Sequence, residues 1–173
     1  MNTKCQKHFT SMKNSFLEMN WSGIVLQQPR VGRMCGIKQM VNRRAIDPPL
    51  IIQLNTPHIQ ISPQSGSNYT CHLTLLDEDH SHRDHFLHPD GHVVENLLGS
   101  STMSAMPFPN PHNNTLQLYF VFESLSIRVT GNYIISCHIV EHDSGTVQTI
   151  LTSCFTVYNN KNFPGSLSKT LSF

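Results

Sequence analysis

Charge is scarce in this chain: 13% of its 173 residues are charged and 38% are hydrophobic. No apolar run approaches the roughly 20 residues that a membrane-spanning helix requires. The five cysteines, Cys5, Cys35, Cys71, Cys137 and Cys154, are odd in number and far apart, with no CxxC pair. That pattern argues against both a zinc ribbon and a secreted disulfide framework. Catalytic signatures are missing as well: there is no nucleophile elbow, no zinc-protease helix motif and no glycine-rich phosphate loop after a strand. The chain therefore reads as a non-enzyme, with no cofactor and no metal site expected. Its opening, MNTKCQKHFTSMKNSF, is polar and basic and lacks the apolar core of a signal peptide. The sequons at Asn20, Asn68 and Asn113 accordingly read as chance.

Acidic residues are unevenly missing. Residues 1–46 hold eight Lys and Arg against Glu18 alone, a net +7, while the remaining residues hold four against ten, a net −6. The near-neutral total of +1 thus hides two segments of opposite sign. Clustered cations gain affinity for phosphates by releasing condensed counterions, so the basic segment points to a polyanionic partner.

The stretch 24–54, IVLQQPRVGRMCGIKQMVNRRAIDPPLIIQL, organises the rest. Short apolar runs at Ile24-Val25-Leu26 and Leu50-Ile51-Ile52-Gln53-Leu54 predict strands on either side of a basic loop carrying Arg30, Arg33, Lys38, Arg43 and Arg44. Pro29 has no N–H and ends the first strand, and Pro48-Pro49 stiffens the approach to the second. The loop is expected to be mounted on the fold rather than to dangle from it.

Length favours one domain, at residues 23–173, behind a flexible basic arm at residues 1–22. Alternation at Tyr69-Thr70-Cys71-His72-Leu73-Thr74-Leu75 predicts a further strand. Dense strand signals follow at residues 116–122, 125–129, 133–140 and 146–158, punctuated by turns at Glu123-Ser124, Thr130-Gly131-Asn132 and His142-Asp143-Ser144-Gly145. Short strands with frequent turns predict a mainly β fold, an antiparallel β-sandwich. Its expected core is Val25, Ile52, Leu54, Leu73, Leu75, Tyr119, Val121, Ile127, Val129, Tyr133, Ile135, Ile139, Phe155 and Val157. Apolar positions 93, 94, 97 and 98 predict one short helix, and Pro107, Pro109, Pro111 and Asn113-Asn114 a loop.

Residues 77–92, DEDHSHRDHFLHPDGH, carry His80, His82, His85, His88 and His92. Pro89 and Gly91 prevent His88 and His92 from sharing a helix face, and no cysteine is near, so the stretch reads as a solvated, dispensable loop rather than a metal site. Together, residues 77–115 form a His/Pro-rich insertion in the domain.

The chain resembles the velvet family of fungal regulators. The residues that carry this are Gln28-Pro29 with Arg33-Met34-Cys35-Gly36, then Arg43-Arg44-Ala45-Ile46-Asp47-Pro48-Pro49 with Ile51-Ile52-Gln53-Leu54. Tyr119-Phe120-Val121-Phe122 with Leu125-Ser126-Ile127-Arg128-Val129-Thr130-Gly131 continues the match, and Phe155-Thr156-Val157-Tyr158 with Asn162-Phe163-Pro164-Gly165 completes it. Any one block is weak; four in the family's order are specific. The family usually has a second glycine where Lys38 stands and a proline where Ala45 stands, with a third proline at Leu50 and a loop longer by one residue. These departures bear on loop shape, and so on base preference.

The resemblance implies an immunoglobulin-like, Rel-like sandwich that binds double-stranded DNA as a velvet homo- or heterodimer. It implies regulation of fungal development, sporulation and secondary metabolism from the nucleus, with shuttling to the cytoplasm and a methyltransferase-like regulator among the partners. Adaptor action on other regulators without DNA contact is the alternative. Carried over by position, Arg33, Lys38, Arg43 and Arg44 are the candidate DNA contacts, with Arg30 as an additional one. Arginine suits bidentate guanine contact or phosphate clamping, whereas Lys38 suits a phosphate. Arg128 matches the family too, but its place on a strand predicts a structural role, and Asp47 is expected to neutralise Arg44 or brace the loop, as a scaffold residue rather than a contact.

Overall fold

The computed structural model describes residues 21–36, 44–56, 60–110 and 113–165. Fourteen strands account for its regular structure: β1 (Ser22–Gln27), β2 (Val31–Arg33), β3 (Leu50–Asn55), β4 (Tyr69–Leu76), β5 (His85–Leu87), β6 (Val93–Glu95), β7 (Leu97–Leu98), β8 (Thr102–Ser104), β9 (Met106–Pro109), β10 (Leu116–Phe122), β11 (Ser126–Ile127), β12 (Gly131–Glu141), β13 (Val147–Leu151) and β14 (Phe155–Tyr158). The two larger sheets run β1-β3-β10-β9 and β2-β14-β12-β4-β8, with β13 also on β12, and two-stranded sheets pair β11 with β7 and β5 with β6. All pairings are antiparallel except that of β14 with β2. The architecture is the antiparallel β-sandwich expected from the sequence.

The core forms where the two inner faces meet. Ladder partners Leu50 and Phe122, Ile52 and Phe120, and Leu54 and Leu118 are buried on one sheet. Cys71, Leu73 and Leu75 of β4 with Ile135, Cys137 and Ile139 of β12 are buried on the other. Successive side chains of a strand point to opposite faces, so a run such as LQLYFVF must choose a phase. Ten of the fourteen expected core residues are buried; Val25, Tyr119, Val121 and Val129 are only half-buried. In β10 the chosen phase buries Leu118, Phe120 and Phe122 and turns Tyr119 and Val121 outward.

Three expectations need correction. Residues 93–98 form β6 and β7 rather than a helix, because Asn96 between them commits its groups elsewhere. Its N–H donates to Asp84 O, its Nδ2 to Arg83 O, and its Oδ1 accepts from Val129 N at 3.1 Å. Buried polar groups must be satisfied, and these bonds leave no helical ladder. Among the described residues the helical element is instead the 3-10 turn Ser65–Asn68. Pro107 and Pro109 sit in β9, an edge strand, where proline's missing donor costs nothing. Trp21 and Ser22, assigned to the arm, belong to the sandwich: Trp21 is 2% exposed and packs edge-on against Tyr69.

Candidate nucleic-acid interface

The basic loop leaves from β2 and returns just before β3, and both of its ends are fastened to one short stretch, residues 125–128. β2 lies parallel to β14, with Arg33 opposite Tyr158. Met34 N then donates to Tyr158 O at 2.8 Å and Cys35 N to Ile127 O at 3.0 Å. On the return, Ile46 N donates to Leu125 O at 2.8 Å. Asp47 closes the loop through its main chain, donating to Val31 O at 2.8 Å and accepting from Val31 N at 3.0 Å and Arg30 N at 2.9 Å. These main-chain bonds are part of the bracing expected of Asp47. Gly32 lets the two limbs approach: a Cβ there would meet Val157 Cγ2 at 3.0 Å and Ile46 Cγ2 at 3.3 Å. Gly36 is needed for its backbone, with φ of 68° and open space around it.

Arg128 completes the mount. It is 9% exposed, and its Nη1 donates to Gly36 O and its Nε to Glu95 O, each at 2.9 Å. A buried guanidinium is tolerable only when its donors are used, and these two bonds join the loop to the end of β6. The expected structural role of Arg128 is what this geometry describes.

Of the candidate contacts, Arg30 and Arg44 are exposed, and Arg33 is half-buried with its Nε on Asn160 Oδ1 at 2.7 Å. Arg30 and Arg33 flank β2 at its two ends, and Arg44 lies two residues before Ile46, so these three cations border the same loop. Lys38 and Arg43 lie outside the described residues. Sequence reasoning missed two asparagines: Asn160, which orients Arg33, and Asn96, which carries the far side of the mount. No spacing rule finds them, because each acts through a partner more than thirty positions away.

The histidine stretch is a hairpin rather than an irregular loop. β5 pairs with β6 so that His85 faces Glu95 and Leu87 faces Val93. Asp77 sits at its base, accepting from Asp79 N, Ser81 N and Arg83. The backbone donation from Ser81 leads the causes that hold the Asp77 carboxyl below the usual range, with Arg83 adding to it against the opposing effect of desolvation.

The velvet factor family pattern matches residues 22–88 and 81–172. The chain is similar to the spore development regulator vosA of Beauveria bassiana, 29% identical over 161 residues that cover 84% of this chain and 58% of that protein. It is similar to the sexual development regulator velC of Gibberella moniliformis, 26% identical over 93% of this chain and 38% of that one. The developmental and secondary metabolism regulator veA of Emericella nidulans is 26% identical over 84% of this chain and 31% of its own length. The chain therefore spans between about a third and three-fifths of these relatives' lengths. With both matched stretches together covering nearly all the described sandwich, the chain belongs to the velvet factor family.

Proposed function

We propose that this chain is a sequence-specific DNA-binding regulator of fungal development, sporulation and secondary metabolism, acting in the nucleus as a velvet homo- or heterodimer. The observation that carries the reading is the mounted basic loop. Five cations, Arg30, Arg33, Lys38, Arg43 and Arg44, fall in a stretch whose two ends are pinned to residues 125–128 by main-chain bonds and by Arg128. Arg30, Arg33 and Arg44 stand at the fastened ends, where cations lose little conformational freedom when they meet phosphates and base edges. The names of the relatives, which describe regulators of spore, sexual and secondary-metabolite programmes, supply the biological context.

Dimerisation has its own physical support. The four strands of the β1-β3-β10-β9 sheet contain no charged residue. Their outer face carries Ile24, Leu26 and Phe108, exposed to 46%, 54% and 44%, alongside Ile51, Tyr119 and Val121. An uncharged apolar face meets a second velvet chain without like-charge repulsion, and sheet-on-sheet packing is an established way to cover it. Sedimentation should show more than a monomer, alone or with a related chain, and Phe108→Lys should reduce association; a strict monomer under both conditions overturns this part.

Mobility shift on genomic fragments at two salt concentrations tests DNA binding. Specific complexes that weaken steeply with salt are expected. Absence of binding at low salt, even with a velvet partner present, overturns the reading in favour of an adaptor that contacts other regulators.

A further inference from the structure

The histidine hairpin is tied to the same residues that hold the basic loop. Asn96, directly after β6, accepts from Arg128 N through its main-chain oxygen at 3.0 Å, and the Arg128 guanidinium joins Glu95 O to Gly36 O. Two oxygens held by one guanidinium lie within roughly 6 Å of each other. The end of β6 and the start of the basic loop are therefore neighbours.

This neighbour is acidic. Residues 77–95 carry Asp77, Glu78, Asp79, Asp84, Asp90 and Glu95 against Arg83, a net −5, together with five histidines. Arg83 neutralises Asp77, with Nε at 2.8 Å and Nη2 at 2.7 Å. Most of the other carboxylates have a histidine beside them. His88 Nδ1 is 2.7 Å from Asp90 Oδ1, His82 Nδ1 is 3.6 Å from Asp84 Oδ2, and His85 stands opposite Glu95 in the ladder. On its other sides His85 shares one cavity with Asp77, Arg83 and Tyr133 and another with Asp84 and Glu95. A proton on His82, His85 or His88 thus cancels the charge of a carboxylate beside it.

We infer that the β5–β6 hairpin is an acidic wall of the nucleic-acid interface, which opposes DNA at neutral pH and is neutralised by protonation of its histidines. The inference rests on the DNA-binding reading above. Uncompensated carboxylates within about 10 Å, the Debye length at 0.1 M salt, repel approaching phosphates. Histidine is the side chain that changes charge between pH 5 and 8, whereas arginine and phosphodiester keep theirs. Falling pH makes the wall less negative, so DNA affinity rises.

The test is fluorescence anisotropy of a labelled random-sequence 20-base-pair duplex at pH 7.5 and pH 6.0, at constant ionic strength. The parent should bind roughly three- to tenfold tighter at the lower pH. His82→Gln/His85→Gln/His88→Gln should keep the parent's affinity at pH 7.5 and lose most of the tightening. Asp90→Asn/Glu95→Gln, at exposed positions, should bind tighter than the parent at pH 7.5 and respond less to pH. Circular dichroism confirms folding, and the second variant stands alone if the first does not fold. Equal tightening in parent and variants, which assigns the effect to histidines other than those replaced, such as His72 and His138 on the larger sheet or His142 in the turn after β12, overturns the inference. So does DNA binding that is indifferent to pH. Failure of the parent to bind at either pH in low salt overturns the DNA-binding reading itself.

Discussion

Arg128→Met removes the clamp between loop and hairpin while keeping most of the side chain's apolar stem. The guanidinium is buried and donates to Gly36 O and Glu95 O at 2.9 Å each. A hydrogen bond from a charged donor contributes about 1.5–3 kcal/mol, and losing one leaves a part-buried carbonyl without that donor. Against this, removing a buried charge relieves its own desolvation penalty. The balance predicts a loss of about 2–4 kcal/mol. Arg128→Lys keeps the charge but reaches one carbonyl at most, so its loss should be smaller. Urea denaturation followed by Trp21 fluorescence measures both, because Trp21 is the single tryptophan and is buried. Freeing the Gly36 main chain also leaves a residue to be reordered on binding, at about 1–2 kcal/mol, so DNA affinity should fall by roughly tenfold. Stability within 0.5 kcal/mol of the parent, with unchanged DNA affinity, would refute the argument that Arg128 mounts the loop.

Glu141→Gln should cost about 1–2 kcal/mol by weakening the acceptor shared by Trp21 Nε1, Tyr69 OH and Ser144 Oγ, measured in the same urea experiment. Burial pushes the Glu141 carboxyl up, but the bonds from Ser144, Tyr69 and Trp21 outweigh it and hold it below the usual range. Its contribution is therefore present above the ordinary glutamate pKa and lost as pH falls through the depressed value, and the glutamine variant should lack that step on acid titration. Gly99→Ala should cost about 1–3 kcal/mol, since φ is 104° and the new Cβ would strike Ser124 O; a melting temperature equal to the parent's contradicts this. Lys38→Ala should weaken binding to all sequences about equally, whereas alanine at whichever of Arg43 and Arg44 reads a base should cost about 1–3 kcal/mol and relax preference at one position, both read by titration on specific and random duplexes. If both arginine variants bind as the parent does while folded, the basic loop is not the DNA-binding element.

Where one alternating set of a strand is apolar, the sequence suffices to choose its face. β4 buries Tyr69, Cys71, Leu73 and Leu75 against Thr and His, and it was legible. β10 was not, because Leu118, Phe120 and Phe122 alternate with Tyr119 and Val121, and period two cannot rank two apolar sets. The consequence is physical as well as methodological, since the set turned outward becomes the uncharged face available to a second chain. The 93–98 stretch failed for a related reason. Its four apolar positions fit a helix as well as two short strands, and the choice is made by Asn96, whose partners lie at residues 83, 84, 128 and 129.

The candidate interface divides the same way between what local chemistry states and what only the fold supplies. Proline and glycine at 29, 32, 36, 48 and 49 announce a mounted loop, because each restricts or frees the backbone where it stands. What the loop is mounted on is invisible locally: residues 125–128 are some eighty positions from its return limb, and Ile127 and Leu125 accept through main-chain oxygens that any residue would present. Arg128 alone leaves a trace in the sequence, as a cation between Ile127 and Val129, directly after β11. Such a residue needs acceptors, and among the described residues they include the carbonyls of the basic loop and of the acidic hairpin. The hairpin therefore cannot be weighed as a surface insertion independent of the loop. Its expected dispensability and the electrostatic coupling inferred above predict opposite results, and the titrations on hairpin variants decide between them.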